Sequence, residues 1–276
     1  MTAFPETPEP TPTAEYADLT PLQARITAHR LFSELPDDPD GAVRSALNLP
    51  SGQDLLDVGC GTGEFLHTLS RARHGGRLIG IDTSSESVQA TRSVSNIEAL
   101  RASATELPFD DGTFDCVTAR HMLYHVDDPA QALSEAQRVL GISGRFAATV
   151  NHKEVAPRTM DLVRGVVHEA GLATDTNLTN DIHSETLPAL VHEVFSNASV
   201  RRFDNALIFP SATALAAYAV ALLSFCGVAP ESSVRGQLAG EVSERCRRWF
   251  ADHQGANWRD EKGYILCTAT GQSTSH

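Results

Sequence analysis

The chain of 276 residues is long enough for one large domain, and 41% of its residues are apolar, which excludes wholesale disorder. Its 22 basic and 35 acidic residues give a net charge of −13, which offers no net attraction to a phosphate backbone, so we expect no nucleic-acid partner. The five cysteines are widely spaced and never form C-x-x-C, which predicts reduced, mostly buried thiols rather than disulfides or a structural zinc site.

The N-terminal segment is rich in proline, threonine and glutamate, which predicts a disordered tail over residues 1–20. It has acids and prolines where a signal peptide needs a basic start and an apolar run, so we expect a cytoplasmic protein. Short helices are predicted at 22–35 and 43–49, with the breaker PDDPDG between them. From residue 21 to residue 276 we expect one domain.

Strands and helices alternate in the next part of the chain. The predicted strands are 55–58, 77–82, 99–103, 114–119 and 144–150, and the predicted helices are 64–72, 85–95 and 129–140. Strands separated by helices imply right-handed crossovers and a parallel sheet with helices on both faces. This pattern is a doubly wound α/β domain, in which ligands bind beyond the carboxyl ends of the strands.

The C-terminal part adds helices at 160–170 and 187–195 and two further strands, 199–209 and 263–270, which make seven in all. Between those two strands a helical insertion is predicted at about 211–258, which is much longer than a simple connection. A cap over the ligand site and extra core or a dimer surface remain equal alternatives. The uncharged stretch 211–229 is interrupted by polar residues and bordered by Pro210 and Pro230, so we predict a buried helix and no membrane contact.

The segment DVGCGTG at 57–63 joins the first strand to the first helix of the alternating region. Its three glycines, Gly59, Gly61 and Gly63, let the chain turn sharply and let a ligand approach the backbone. A dinucleotide fingerprint has a small residue where this chain has Glu64. Because Asp57 and Glu64 would repel a pyrophosphate, the loop favours a nucleoside with an ammonium and a sulfonium over one with phosphates.

Asp82 closes the second strand. A carboxylate at this place can accept hydrogen bonds from both hydroxyls of a ribose. Aspartate is also common just before a helix, so the residue indicates a ribose site mainly through its spacing from the glycine loop.

These segments resemble class I S-adenosylmethionine-dependent methyltransferases of the "methyltransferase type 11" kind. The matching text is LLDVGCGTGEF at 55–65, GIDTSSESVQAT at 80–91, ATELPFDDGTFDCVTARHMLYHVDDPAQALSEAQRVL at 104–140 and GISGRF at 141–146. The resemblance is close over about residues 40–150, with the core at 50–150. It implies a seven-stranded, mostly parallel Rossmann-like sheet that binds S-adenosylmethionine.

The resemblance also implies a role for individual residues. The methionine part of the cofactor would contact the glycine loop and Asp82 would bind the ribose, with Leu107 packing near the adenine. The full set of cofactor-binding residues that it implies is Asp57, Gly59, Cys60, Gly61, Gly63, Asp82, Thr83, Ser103, Ala104 and Arg120. One departure concerns Ser103, where the family usually has an acid, because a hydroxyl accepts more weakly from the adenine amino group.

Catalysis of methyl transfer mainly requires holding the acceptor in line with the methyl group, and a general base is needed only for a protonated acceptor. His121 and His125 follow the fourth strand and are the candidate catalytic bases, with His121 the stronger of the two because His125, in the LYHV segment, has structural packing as its alternative. No acid or thiol accompanies the two histidines in register, so we expect no metal.

The candidate substrate-binding residues are Tyr16 in the N-terminal segment, Tyr124, Asn151 and His152. The last two follow the fifth strand, on the ligand side of a doubly wound sheet. Tyr16, Arg25 and His29 all belong to the N-terminal segment. Residues on the surface of a helix would look the same in the sequence, so these three can also be ordinary surface residues.

The sequence therefore predicts a methyltransferase that uses S-adenosylmethionine on an O, N or C atom of a small-molecule acceptor, as a monomer or a homodimer. Twenty arginines against two lysines indicate a GC-rich bacterial genome, which associates the enzyme with specialised metabolism. The alternatives are a non-methylating cyclase or binding protein of the same fold, an NAD oxidoreductase, which the charge argument disfavours, and an RNA methyltransferase, which lacks a basic surface.

Overall fold

The computed structural model of the protein describes residues 19–174 and 180–271. Its helices are α1 (Leu19–Phe32), α2 (Pro39–Leu47), α3 (Glu64–Arg71), α4 (Ser85–Thr91), α5 (Pro129–Val139), α6 (Pro157–Glu169), α7 (Leu187–Phe195), α8 (Ala212–Ala221) and α9 (Arg235–Asp252), with 3-10 helices at Leu123–His125 and Leu222–Cys226. Its strands are β1 (Leu55–Val58), β2 (Leu78–Asp82), β3 (Ile97–Arg101), β4 (Phe114–Arg120), β5 (Leu140–Asn151), β6 (Ser199–Phe209) and β7 (Trp258–Thr270).

The seven strands form one sheet in the order β3-β2-β1-β4-β5-β7-β6. The strands from β1 to β5 pair in parallel, and β7 runs antiparallel to β5. The predicted mostly parallel, doubly wound sheet is therefore confirmed. Because the order changes direction between β1 and β4, the loops that follow these two strands lie at the switch point where ligands bind in such folds.

Strand β1 shows why the sheet is covered on both faces. All four of its residues are buried, as expected for a strand with helices above and below it. Leu56 and Val58 belong to one apolar cluster, which includes residues of α5 and α7, and Leu55 belongs to another, which includes residues of α2 and α3. The sheet therefore presents alternate side chains to two separate cores.

The described residues divide into two compact units. Of the described residues, 38–153, 180–203 and 264–271 form the sheet unit, and 19–37, 154–174 and 204–263 form the helical unit. The predicted insertion belongs to the helical unit. Its alanine-rich segment forms α8 and a 3-10 helix that ends at Gly227, whose φ is 81°. It packs in a core that includes Phe209, Tyr218 and Trp258.

Several boundaries differ from those predicted, and three of them bear on the size of the elements around the site. Helix α1 begins at Leu19, inside the predicted tail, and residues 1–18 of that tail lie outside the described residues. Strand β5 begins at Leu140 rather than at residue 144. Leu140 pairs with Phe114 and Arg145 with Cys116, so the segment predicted as a turn forms an irregularity within the strand. Strand β7 begins at Trp258 rather than at residue 263.

The first residues of β7 were not predicted as a strand, because the acid Asp260 interrupts the apolar pattern. Trp258 and Asp260 are buried and Arg259 and Glu261 are exposed, which is the alternation of a strand. Asp260 is accommodated because it accepts hydrogen bonds from the Thr159 N–H at 2.7 Å and the Thr159 hydroxyl at 2.6 Å, at the start of α6. Across the described ranges 19–174 and 180–271, no helix is both long enough and apolar enough to cross a membrane.

Candidate cofactor and acceptor site

The loop between β1 and α3 turns at three glycines in the left-handed region. The φ angles of Gly59, Gly61 and Gly63 are 67°, 54° and 78°. A Cβ atom at Gly59 would lie 2.7 Å from Met122, and one at Gly63 would lie 2.6 Å from Thr91. A Cβ atom at Gly61 would meet no atom within 4 Å. Gly59 and Gly63 therefore allow close packing within the protein, whereas Gly61 faces open space.

Asp82 lies directly beside this loop. One of its carboxylate oxygens accepts a hydrogen bond from the Gly61 N–H at 2.9 Å, and the other accepts one from the Ser84 N–H at 2.9 Å. An ionised carboxylate has about four acceptor positions, so both oxygens keep the capacity to accept further hydrogen bonds. The structure thus brings together the two features that the sequence placed nineteen residues apart.

Behind the loop, Thr91 fixes the backbone from α4. Its hydroxyl donates to the Gly61 carbonyl at 3.0 Å and lies 3.5 Å from the Cys60 sulfur. Burial raises the pKa of the Cys60 thiol to about 12, and the nearby charge of Asp57 adds to this effect. Cys60 is therefore a protonated packing residue, and Thr91 is a contributor that the sequence analysis did not identify.

Asp57 is completely buried and is paired with Arg120. Its carboxylate accepts from the Arg120 Nε at 3.2 Å and Nη2 at 2.9 Å, and from the Thr118 hydroxyl at 2.7 Å. Arg120 also donates from Nη1 to Asp40 on α2 at 2.7 Å. The guanidinium carbon lies 4.2 Å from the ring centroid of Phe65, so stacking adds to the ion pairs.

This pairing corrects the charge argument. Burial alone would lower the pKa of Arg120, but the charges of Asp57 and Asp40 outweigh it and hold the pKa above its usual value. Burial raises the pKa of Asp40, although the charge of Arg120 opposes that rise. Asp57 is therefore not a lone carboxylate, and when all three groups are ionised the cluster has a net charge of −1. Glu64 is exposed and lies 3.2 Å from Arg71, so it adds little.

The residues expected near the adenine lie in the segment after β3. Ala104 and Leu107 are buried, and the Leu107 N–H donates to Glu135 at 2.8 Å. The exposed Ser103 has its hydroxyl 2.8 Å from the Thr105 hydroxyl and accepts from the Thr105 N–H at 3.2 Å. Thr83 is exposed, and its carbonyl accepts from the Arg101 Nε at 2.9 Å.

The segment after β4 carries the two candidate bases. His121 has a φ of 49°, which is uncommon for a residue with a side chain, and its N–H donates to the Thr149 carbonyl at 2.8 Å. The 3-10 helix Leu123–His125 follows, in which the rings of Tyr124 and His125 meet edge to face with their centroids 4.5 Å apart.

Asn180 holds this 3-10 helix in place. Its side-chain amide donates to the carbonyls of Leu123 at 3.0 Å and Val126 at 2.6 Å, and its backbone N–H donates to the Tyr124 carbonyl at 2.9 Å. The sequence analysis did not identify Asn180, because it lies in a polar segment with no periodic pattern.

The remaining candidates are dispersed. Asn151 is exposed at the end of β5, and His152, which follows it, is partly exposed. Tyr16 lies outside the described residues. Arg25 and His29 belong to the helical unit, where they contact the rings of Phe225 and Tyr218. Within residues 19–174 and 180–271, no group of three or more His, Cys, Asp or Glu side chains is arranged to hold a metal ion.

Residues 56–148 match the family described as "Methyltransferase domain". The chain is 47% identical over 143 residues to an uncharacterized 37.1 kDa protein in transposon Tn4556 of Streptomyces fradiae, and this alignment covers 45% of this chain and 41% of the relative. It is 34% identical over 120 residues to a demethylmenaquinone methyltransferase of Staphylococcus saprophyticus, and this alignment covers 42% of this chain and 52% of the relative. The chain thus spans about half of these relatives, or less.

The fold extends further than the sequence similarity. The crystal structure of the [4+2]-cyclase SpnF matches with a TM-score of 0.60 and 20% identity, over 98% of this chain and 100% of that chain. Residues 56–148 are a methyltransferase domain. The glycine loop, Asp82 and the segment after β4 all lie within this domain.

Proposed function

We propose that this protein transfers the methyl group of S-adenosylmethionine to an O, N or C atom of a small-molecule acceptor. The observation that carries the proposal is the junction of the glycine loop with Asp82. There, an open backbone at Gly61 adjoins a carboxylate whose two oxygens can accept further hydrogen bonds. Such a junction suits an adenosine ligand whose ribose hydroxyls reach the carboxylate.

The other residues fit the rest of this cofactor. Ala104 and Leu107 offer buried apolar surface to the adenine. The charge cluster of Asp57, Arg120 and Asp40 has a cation between two anions, which complements the ammonium and carboxylate of an amino acid end. When bound, S-adenosylmethionine supplies an electrophilic methyl group on a positively charged sulfur, and the net negative charge of the cluster favours this cation.

On the acceptor side, His121 is our candidate for the general base, with Tyr124, Asn151 and His152 as the acceptor contacts and His125 as the second candidate base. His121 follows β4 at the switch point of the sheet, where it could take a proton from a phenol, an alcohol or an ammonium group. His121→Ala should lower kcat by about a hundred-fold or more and leave cofactor affinity nearly unchanged.

The relatives and the composition indicate where to look for the acceptor. A demethylmenaquinone methyltransferase is among the relatives, so quinols belong in an acceptor panel together with phenols and amines. The composition associates the protein with bacterial specialised metabolism. We propose a cytoplasmic protein, acting as a monomer or homodimer, with no nucleic-acid or membrane partner.

Two measurements test the proposal. Calorimetry should show binding of S-adenosylmethionine and S-adenosylhomocysteine and no comparable binding of NADH. Incubation with the acceptor panel should release S-adenosylhomocysteine in amounts equal to the methylated product. Tight binding of NADH without binding of S-adenosylmethionine would contradict the proposed cofactor.

The main rival is a protein that binds the cofactor without transferring its methyl group, such as a cyclase. The likeness to SpnF concerns the fold, so it does not by itself favour this rival. Binding of S-adenosylmethionine without release of S-adenosylhomocysteine, in the presence of an acceptor that is nevertheless converted, would favour the cyclase.

A further inference from the structure

The segment that carries His121 has a backbone that is costly to maintain. A residue with a side chain is disfavoured in the left-handed region, so surrounding contacts must hold it there. One such contact is the hydrogen bond from the His121 N–H to the Thr149 carbonyl. This bond fixes the backbone, but it leaves the direction of the imidazole to be set by other contacts.

A second contact comes from β7, far away in the sequence. The rings of His121 and Tyr264 meet edge to face, with their centroids 6.2 Å apart and their planes at 67°. Tyr264 is only 5% exposed and pairs in the sheet with Asn151, the last residue of β5. Its own position is therefore set by the sheet.

Tyr264 is also fixed on its other side. Phe203 of β6 stacks on it with the ring centroids 4.6 Å apart and the planes at 8°, and the guanidinium of Arg201 lies 5.1 Å from the Phe203 ring. The three rings of Phe203, Tyr264 and His121 form a continuous row within the sheet unit. Because aromatic pairs prefer offset-stacked or edge-to-face geometry, contact with this row favours one orientation of the imidazole.

We propose that Tyr264 is a positioning residue that holds the His121 imidazole at the carboxyl end of β4 through ring contact. The catalytic consequence rests on the proposed function, in which His121 is the general base. The positional consequence does not, because it concerns only the orientation of a side chain.

The first test therefore requires no acceptor. Protein labelled at histidine and tyrosine should show a nuclear Overhauser contact between the His121 and Tyr264 rings, with the His121 signals assigned by their absence in His121→Ala. Tyr264→Leu should remove the ring-current shift of His121, and Tyr264→Phe should keep it. Phe195→Leu is the matched control, because it also removes a buried ring, one that stacks on Phe146 instead.

Three spectroscopic results overturn the proposal. The first is a His121 spectrum that is unchanged in Tyr264→Leu, and the second is an equal change in Phe195→Leu. If Tyr264→Phe changes the spectrum as much as Tyr264→Leu does, the hydroxyl holds the imidazole and the ring-contact proposal is also overturned.

The second test measures turnover with an acceptor from the panel. Tyr264→Leu should lower kcat by about ten-fold to a hundred-fold and leave the KM of the acceptor and the Kd of S-adenosylmethionine within about two-fold. In the His121→Ala background the same substitution should have no further effect on kcat, and additive losses would contradict action through His121. If no acceptor turns over in the parent protein, the proposed function fails, while the spectroscopic result still decides the position of the imidazole.

Discussion

Strands β1 and β4 are neighbours in the sheet, but the loops that follow them are held by different contacts. The first loop turns at glycines, and its fixing contacts come from Asp82 of β2 and Thr91 of α4, which lie 21 and 30 residues after Gly61 in the chain. The second loop turns at His121, a residue with a side chain, and is held by Asn180 and Tyr264, which are distant in the sequence. The proposed cofactor side is thus built locally, and the proposed acceptor side is built by tertiary contacts.

This difference has a consequence for function. A loop whose hydrogen bonds come mostly from residues near it in the sequence depends less on the rest of the chain, which suits a ligand that many enzymes share. A loop held by β7 and by a distant asparagine changes its shape when those elements change, which suits an acceptor that differs between enzymes. Substitutions in the first loop should therefore alter cofactor binding, and substitutions around the second should spare it.

The largest effect is expected at Arg120, whose ion pair with Asp57 joins the two strands that lead into these loops. Replacing Arg120 with Met leaves the completely buried Asp57 without its cation, which should lower the free energy of unfolding by about 3–5 kcal/mol. Urea denaturation of the purified variant measures this loss.

The double variant Arg120→Met with Asp57→Asn is the matched control, because it removes both charges. It should recover more than half of the lost stability, since the cost lies in the unpaired buried charge and not in the absence of the pair. Equal destabilisation of the single and double variants would show that packing against Phe65, and not charge, is what Arg120 contributes.

The next effect is at Gly61. Substitution by Val introduces left-handed strain and fills the open space beside the loop, so it should weaken binding of S-adenosylmethionine by a hundred-fold or more while the protein stays folded. Calorimetry and thermal unfolding check the two parts of this expectation.

Gly171→Val is the control, because Gly171 has a φ of 77° and also has no atom within 4 Å of a Cβ position. It should cost similar stability and leave binding unchanged. If Gly61→Val binds as tightly as the parent, the ligand does not approach the loop at Gly61.

Most of the fold was predictable because its signals are local. Strands such as β1 and β2 are short apolar runs, and β6 was predicted with the same bounds that it has in the structure. The prediction failed where tertiary contacts override the pattern. Asp260 interrupts the apolar character of β7, and its burial makes sense only beside Thr159, about a hundred residues earlier.

The candidate site was predictable to the same extent. The contact between the glycine loop and Asp82 was predictable, because the glycine motif and its spacing from Asp82 are visible in the sequence. Asp40 and Asn180 were not found, since an aspartate in a breaker segment and an asparagine in a polar loop look like ordinary surface residues. The pairing of Asp57 with Arg120 was not predicted for the same reason, because it depends on two strands lying side by side.

A smaller effect is expected at Asp82. Asp82→Asn keeps the size of the side chain and removes its charge, so it should weaken binding of S-adenosylmethionine by about ten-fold or more. Because the expected contact is to the ribose, 5′-methylthioadenosine, which lacks the amino acid end, should be weakened by the same factor. Asp54→Asn is the control, since Asp54 is a carboxylate paired with Arg77 away from the loop. A loss confined to S-adenosylmethionine would place Asp82 at the amino acid end instead.

The smallest effect is expected at Asn180, and it separates the two loops most directly. Asn180→Ala removes the side-chain hydrogen bonds to Leu123 and Val126, which should cost about 1–2 kcal/mol of unfolding free energy. Hydrogen exchange of the His125 and Val126 amides should become faster, because the 3-10 helix loses its external support. The affinity for S-adenosylmethionine should stay within about two-fold.

Asn205→Ala provides the comparison, because Asn205 makes similar side-chain hydrogen bonds to the backbone of Leu35 in the helical unit. It should cost comparable stability and leave exchange at His125 unchanged. If Asn180→Ala weakens cofactor binding as strongly as Gly61→Val does, the two loops form one energetic unit. The division into a locally built cofactor side and a tertiary acceptor side would then be wrong.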